Sequence, residues 1–130
     1  MEQATFDIIA RCHLQDAGYW QNDRACTCWL ALTAATAASG AMQFLPQSHQ
    51  RGILPHVDAS GYSEINNALE ADLNQFDASL AVTVELEPGS CTFHHCRTLH
   101  FAGGNATDWP RKALITHFQP SNVVGNGSKL

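Results

Sequence analysis

The chain has 130 residues, the size of one domain, and its apolar fraction of 45% is typical of a folded globular protein. Seven Lys and Arg residues against twelve Asp and Glu residues give a formal net charge of −5, and no basic run occurs. Nucleic-acid binding depends on basic residues that neutralise phosphates, so this class of function is excluded. No stretch approaches the roughly 18 apolar residues of a membrane span, and residues 1–11 lack the basic start of a signal peptide. We expect one domain over residues 1–130, with no nucleic-acid or membrane partner.

The cysteines indicate a reducing compartment. Five cysteines make an odd number, without the spacing of a secreted disulfide framework. Cys26 and Cys28 would share one face of a strand, and small buried residues are favoured there over a zinc site, which would need a second such pair. We therefore expect a cytoplasmic protein. Seven histidines in so short a chain are the first indication of chemistry.

Short apolar segments separated by turn signals favour strands over helices along most of the chain. Residues 80–86 alternate between apolar and polar positions, as a half-buried strand does, and a Pro-Gly turn signal follows at 88–89. The predicted strands cover residues 6–10, 25–33, 42–45, 80–86, 91–99 and 113–118. Several short strands at this spacing are typical of an all-β sandwich or barrel.

Two further segments have a different character. Ile65, Leu69 and Leu73 are four residues apart, which permits one short amphipathic helix within residues 64–74. Residues 121–130 contain Gly, Asn and Ser and are expected to form a flexible tail.

A few polar residues match the needs of one kind of metal site. A mononuclear iron(II) oxygenase site uses two imidazoles and one carboxylate, which leaves positions for a co-substrate and oxygen. A histidine and a carboxylate two residues apart on a strand point the same way, and the second histidine comes from a distant strand. A dicarboxylate co-substrate also needs a buried cation, which arginine supplies best. The chain has His13 and Asp16 close together, with His100 and Arg111 far along the sequence.

Five segments carry a family resemblance, and they occur in the family's order: 15–20 (QDAGYW), 27–32 (TCWLAL), 43–55 (QFLPQSHQRGILP), 84–89 (VELEPG) and 93–111 (FHHCRTLHFAGGNATDWPR). They resemble the metal-binding step, the core strands and the co-substrate arginine of the phytanoyl-CoA dioxygenase family, whose members use iron(II) and 2-oxoglutarate. The resemblance runs from about residue 12 to about residue 120. It implies a double-stranded β-helix, or jelly roll, with at most one short helix.

The resemblance also implies roles for individual residues. His100 is similar to the distal iron ligand, Asp16 to the carboxylate ligand, and Arg111 to the partner of the 2-oxoglutarate tail. Trp29 is similar to an aromatic position beside the co-substrate, and Ala102 stands where a co-substrate-binding serine often occurs. Substrate-pocket positions are implied for Trp20, Ser48 and His49.

The chain departs from the family pattern in the metal-binding step. The family has a histidine two residues before the aspartate, and this chain has Leu14 there. His13 lies one place earlier, so on a regular strand it would face away from the metal. Either a bulge turns His13 towards the metal, or the proximal histidine is lost. Family members are also longer, with an N-terminal half that covers the barrel.

Each candidate also has a structural interpretation. His100 could be a hydrogen-bonded histidine at a strand end, Asp16 a turn aspartate and Arg111 a surface arginine. The tryptophans are most often core residues. His94, rather than His95, should share a face with His100, and it is more often a wall residue than a further ligand.

Three hypotheses about function follow. The first is a non-haem iron(II)- and 2-oxoglutarate-dependent dioxygenase that hydroxylates a small organic substrate. The second is a catalytically impaired or truncated jelly-roll homologue that binds a small molecule or assembles with itself. The third is a fragment of a longer protein, in which exposed apolar sheet would favour a homodimer. Residues 56–80 carry no signature of the substrate.

Overall fold

The structure of the chain, a computed structural model, describes residues 24–52, 54, 56–58, 69–71 and 76–121. Eight strands lie within these ranges: β1 (Cys26–Ala31), β2 (Met42–Phe44), β3 (His56–Asp58), β4 (Leu69–Ala71), β5 (Val82–Val84), β6 (Cys91–His95), β7 (His100–Ala102) and β8 (Ala113–Phe118). The predicted strand at 6–10 and all but the first residue of the predicted tail lie outside the described residues. The prediction of one domain over residues 1–130 therefore stays a prediction.

The first sheet has β1 at its centre, between β6 and β8, and both pairings are antiparallel. The burial of β1 alternates along its length, so Thr27, Trp29 and Ala31 face inward. The register places His94 opposite Thr27, and Ile115 opposite Trp29 on the other side. Directly opposed residues point to the same face of a sheet, and His94 is buried there beside Thr27, whereas Ile115 remains 49% exposed.

The second sheet has β2 at its centre, between β5 and β7, again with antiparallel pairing. Phe44 of β2 pairs with His100 of β7, and Met42 pairs with Ala102. Successive strands from β5 to β8 alternate between the two sheets, as the strands of a jelly roll do. The predicted all-β jelly-roll class is confirmed.

The helix predicted within residues 64–74 is wrong at Leu69–Ala71, which forms strand β4 and pairs with β3. Across the described ranges, the helical segments are two single 3₁₀ turns, Ser48–Arg51 and Ala78–Leu80. None of the helices in these ranges is long and apolar enough to cross a membrane. An i, i+4 spacing over so few residues does not distinguish a helix from strand residues between loops.

The core lies between the two sheets. Trp29 and Ala31 of the first sheet pack with Met42 of the second, and with Ala35 and Ala41 of the connection between β1 and β2. Alanine at so many inward positions leaves room for Trp29, which is only 3% exposed. Small side chains facing one large aromatic ring fill the narrow space between the sheets without leaving a void.

One glycine lets two loops meet beside β7. Gly40 has φ +81°, in the left-handed region, and a Cβ atom there would overlap the carbonyl oxygen of Gly103. The same two loops share a hydrogen bond from the Ala106 N–H to the Ala38 carbonyl, at 2.9 Å. The connection before β2 is thereby held against the segment that follows β7.

We predict that Gly40→Ala destabilises the fold by more than backbone strain alone. Gly89→Ala is the matched control, because Gly89 also has positive φ (+86°) but has open space around its Cα. The control should cost about 1 kcal/mol of unfolding free energy, and Gly40→Ala should cost roughly 2–4 kcal/mol because a backbone oxygen must also move. Urea denaturation of both variants measures this. Equal costs would show that the loops do not meet as described.

Candidate functional site

Two histidines from opposite sheets meet in the interior. His94 comes from β6 and His100 from the first position of β7, and they are 9% and 8% exposed. Their ring centroids are 4.7 Å apart, with the ring planes at 51°. Phe44 packs on both, at 5.0 Å from His94 and 6.1 Å from His100. Two imidazoles are thus held side by side in a mostly apolar setting.

The hydrogen bond of His100 fixes which of its nitrogens is protonated. Its Nδ1 lies 2.8 Å from the Thr98 carbonyl oxygen, which can only accept, so Nδ1–H donates. Neutral His100 therefore carries a lone pair on Nε2. Metal-binding histidines typically donate their other ring N–H to a carbonyl or carboxylate, which also fixes the ring orientation.

A half-buried cation packs on Trp29 of the first sheet. The Arg111 guanidinium carbon is 5.5 Å from the centre of the Trp29 ring, on its face. Burial lowers the pKa of Arg111 below its ordinary value, although an arginine stays protonated at neutral pH. Arg111 is therefore not the freely solvated residue that its place after Pro110 would suggest.

The spacing between these groups suits a short dicarboxylate. Trp29, under Arg111, lies two residues along β1 from Thr27, which is opposite His94. Two residues of a strand span about 7 Å. A ligand bound at the histidines could therefore reach Arg111 with its far end.

An open cavity of about 400 Å³ adjoins His94, and its walls include Phe44, Thr92, His49 and His95. The rings of His49 and His95 are 5.5 Å apart. The Arg97 N–H donates to Nδ1 of His95, so neutral His95 carries its proton on Nε2. A cavity of this volume is in the range that small-molecule sites occupy.

The Ser48 hydroxyl forms hydrogen bonds with main-chain groups. Ser48 is 1% exposed, and its Oγ donates to the Leu45 carbonyl at 2.7 Å and accepts from the Leu99 N–H at 2.9 Å. The residue next to His100 is thereby tied to the 3₁₀ turn. Ala102 is exposed and faces the same side as His100. The substrate role of Ser48 and the co-substrate role of Ala102 stay predictions.

The first part of the predicted site lies outside the described residues: His13, Leu14, Asp16 and Trp20. Within the described part of the chain, no group of three His, Cys, Asp or Glu side chains is arranged to hold a metal ion. The described residues bring His100 together with His94, and Arg111 together with Trp29. From the sequence, His94 was predicted to line the wall of the site. Its contact with His100 could not be predicted from the sequence, because it depends on both sheets turning these residues into the same interior.

The opposite face of the first sheet is apolar and exposed. Phe93 is 64% exposed, Leu114 54% and Phe118 51%, and the rings of Phe93 and Phe118 are 6.4 Å apart. Cys26 and Cys28 lie on the same face as free thiols, and both are half-buried rather than buried as the sequence predicted. Burial and the neighbouring Cys91 thiol raise the pKa of Cys28.

Comparison with known proteins gives a consistent set of similarities. The family model described as phytanoyl-CoA dioxygenase (PhyH) matches residues 11–113. A probable phytanoyl-CoA dioxygenase of Caenorhabditis elegans is 32% identical over 97 residues, which are 74% of this chain and 31% of that protein. The chain spans about a third of the length of the curated relatives that it matches.

Two solved structures are similar in fold and sequence. EvdO2 from Micromonospora carbonacea var. aurantiaca, complexed with 2-oxoglutarate, has a TM-score of 0.70 and 34% identity, over 85% of this chain and 43% of that one. The epimerase SnoN, in complex with Fe³⁺, α-ketoglutarate and nogalamycin RO, has a TM-score of 0.59 and 32% identity, over 79% and 38% of the two chains.

We predict that Ser48→Ala destabilises the protein by about 1–3 kcal/mol, because the buried Leu99 N–H loses its acceptor. Ser90→Ala is the control, since Ser90 is exposed, and it should change stability by less than about 0.5 kcal/mol. Thermal unfolding of the two variants makes the comparison. If Ser48→Ala does not change the stability, the hydrogen bond to the Leu99 N–H is contradicted. The Ser48 hydroxyl would then be available to bind substrate directly.

Proposed function

This chain belongs to the phytanoyl-CoA dioxygenase family, and we propose that it is a non-haem iron(II)- and 2-oxoglutarate-dependent dioxygenase that hydroxylates a small organic substrate. The observation that carries the proposal is the setting of His100, which is buried at the start of β7 with its Nδ1 bonded to the Thr98 carbonyl. His100 offers Nε2 from a buried position, and Arg111 holds a positive charge against Trp29. The structures of EvdO2 with 2-oxoglutarate, and of SnoN with Fe³⁺ and α-ketoglutarate, support the choice of cofactors.

In this proposal His100 and Asp16 would hold the iron, with His13 as the second imidazole that the sequence predicts. Arg111 would bind the far carboxylate of 2-oxoglutarate in a two-pronged hydrogen-bonded pair, which a low-dielectric interior strengthens. Trp29 would fix the plane of the guanidinium. When bound, iron(II) and 2-oxoglutarate would activate dioxygen, the oxidant: one oxygen atom would enter succinate as 2-oxoglutarate loses carbon dioxide, and the other would be inserted into a substrate C–H bond.

The open cavity beside His94 is the proposed substrate site. Its volume of about 400 Å³ suits a small organic molecule, and His49 and His95 offer polar atoms along an otherwise apolar wall. Trp20 and Ser48 are the other substrate positions that we propose from the family resemblance. The matched relatives carry different names, dioxygenase and epimerase among them, so family membership leaves the substrate open.

The second candidate function is that of a jelly roll that binds a small molecule without catalysing a reaction. Leu14, which stands in place of the proximal histidine, is the feature that favours it. A binding module would not require both a partly desolvated cation on a tryptophan and a tautomer-fixed histidine. We therefore place the oxygenase first. The free thiols of the described cysteines also support a reducing, cytoplasmic location.

The deciding experiment is an anaerobic titration of the protein with iron(II) and 2-oxoglutarate. A chelated iron(II)–2-oxoglutarate complex has a visible charge-transfer band, which neither component gives alone. The proposal requires this band to appear at one equivalent of each component. Its absence at saturating concentrations would leave the non-catalytic binding module as the function.

We predict that Arg111→Ala weakens 2-oxoglutarate binding at least a hundredfold, because a buried carboxylate without its charged partner loses roughly 3 kcal/mol or more. Iron(II) binding should survive. Lys112→Ala is the matched control, since Lys112 is the exposed neighbour. The charge-transfer titration reports both variants. If Arg111→Ala binds 2-oxoglutarate with unchanged affinity, Arg111 serves only to pack on Trp29.

We also propose a homodimer formed through the apolar outer face of the first sheet. An exposed patch that contains Phe93, Leu114 and Phe118 is more typical of an interface than of a free surface. Phe93→Glu should shift the protein to a monomer in sedimentation velocity. Trp109→Glu, at an exposed residue of the loop before β8, should leave the dimer intact. A monomeric parent protein would refute the proposal.

A further inference from the structure

We propose that two copies of this chain pair through the free edge of β6, forming an antiparallel ladder that joins their first sheets side by side. Within the described part of the chain, β6 pairs with β1 on one side and with no strand on the other. The inference goes beyond the homodimer proposed above, because it names the strand edge and the backbone groups of the interface. It does not depend on iron or 2-oxoglutarate, so it can fail while the proposed oxygenase function stands.

The hydrogen bonds between β1 and β6 show which backbone groups of β6 point away from β1. The Cys96 N–H, directly after the end of β6, bonds to the Ala25 carbonyl at 3.0 Å. Every second residue of an antiparallel strand bonds to the neighbouring strand, so Thr92 and His94 continue this ladder with β1. The intervening residues direct their N–H and C=O groups to the open side of β6. These residues are Cys91, Phe93 and His95.

Another strand has access to this edge. Residues 92–95 all line the open cavity, although their side chains alternate between the two faces of the sheet. One cavity meets both faces of a sheet where it lies along the free edge of a strand. Phe93 is also 64% exposed. The His95 carbonyl already accepts the Thr98 N–H at 2.9 Å, so His95 would contribute mainly its own N–H to a new ladder.

β6 lacks the features that usually prevent strand edges from pairing. Edge strands of natural proteins are commonly very short, or they carry a proline or a charged residue that discourages another strand. β6 has five residues and contains no proline, Asp, Glu, Lys or Arg. By contrast, β5, an edge strand of the second sheet, has only three residues. The edge of β6 is therefore long enough and neutral enough to pair with another strand.

The strand that fits this edge best is β6 of a second copy. Two identical strands pair antiparallel around a two-fold axis, which closes the assembly at two subunits. An axis at Phe93 places the two Phe93 residues opposite each other, and Cys91 of each copy opposite His95 of the other, so all the outward residues take part. The two Phe93 rings then lie side by side, and aromatic cross-strand pairs are stabilising. Although the chain has a formal net charge of −5, identical β6 strands meet without repulsion between acidic or basic side chains.

Pairing at this edge would also change the proposed substrate site. The cavity of about 400 Å³ is lined by residues 92–95, so a strand of the second copy along β6 would form part of its wall. This consequence rests on the proposed function, whereas the pairing itself does not.

Amide hydrogen exchange tests the pairing without any substitution. The parent protein is measured by NMR at low and high concentration, and sedimentation velocity gives the fraction of dimer in the same samples. The Phe93 amide should exchange about tenfold or more slowly when the dimer predominates. The Thr92 and His94 amides are the internal controls, because they bond to β1 in the monomer and in the dimer alike. A parent protein that stays monomeric, or a dimer in which Phe93 exchanges as fast as in the monomer, would overturn the inference.

Two substitutions separate edge pairing from stacking of the outer faces. Phe93→Pro removes an N–H that points away from β1, so it should keep the ladder with β1 and shift the protein to a monomer. Leu114→Glu changes the outer face on β8, on the far side of β1, and should leave the dimer intact. A folded Phe93→Pro protein that remains a dimer overturns the edge pairing, and a monomeric Leu114→Glu beside it shows that the outer faces stack. If Phe93→Pro does not fold, or if both variants are monomers, exchange of the Phe93 amide in the parent protein decides.

Discussion

The chain crosses from one sheet to the other between His95 and His100, and the geometry of the candidate site depends on how this crossing is held. The Cys96 N–H bonds to the Ala25 carbonyl at 3.0 Å, which ends β6, and the Thr98 N–H bonds back to His95 at 2.9 Å. Leu99 then bonds through its N–H to Ser48 and through its carbonyl to the Leu45 N–H. With these backbone groups satisfied in an apolar interior, the crossing has little freedom to move His100.

Side chains add one more constraint to this crossing. The Thr98 carbonyl is the acceptor for Nδ1 of His100, so the backbone that positions the ring also sets its tautomer. On the facing sheet, β1 is paired on both sides, and its alternation places Trp29 under Arg111. The metal end and the cation end of the proposed site therefore belong to separate sheets that meet through a shared core.

The sequence predicted the strands that carry clear alternation or sustained apolar character, including β1, β2 and β8. It did not predict β7, which begins directly after the predicted strand at 91–99. Three residues that begin with a buried histidine have no alternation to detect. It also predicted a helix where β4 forms, because four-residue spacing in a short window does not exclude strands joined by loops.

The candidate site, too, could be predicted only in part from the sequence. Resemblance identified His100 and Arg111, but the setting of Arg111 on Trp29 depends on tertiary packing that no local pattern contains. Strand parity suggested that His94 accompanies His100, and the two do lie together. The reason is different, since they belong to different strands in different sheets and share only the interior.

Sheet packing explains why the two histidines meet. Side chains of one strand alternate between the two faces of a sheet, so only every second residue of a strand faces the interior. Between two packed sheets about 10 Å apart, inward residues of both sheets lie within a few ångströms of one central point. His94 of β6 and His100 of β7 therefore approach each other across the interior, although their strands belong to different sheets. A spacing along one strand does not reveal such a contact, because the contact depends on how the two sheets are stacked.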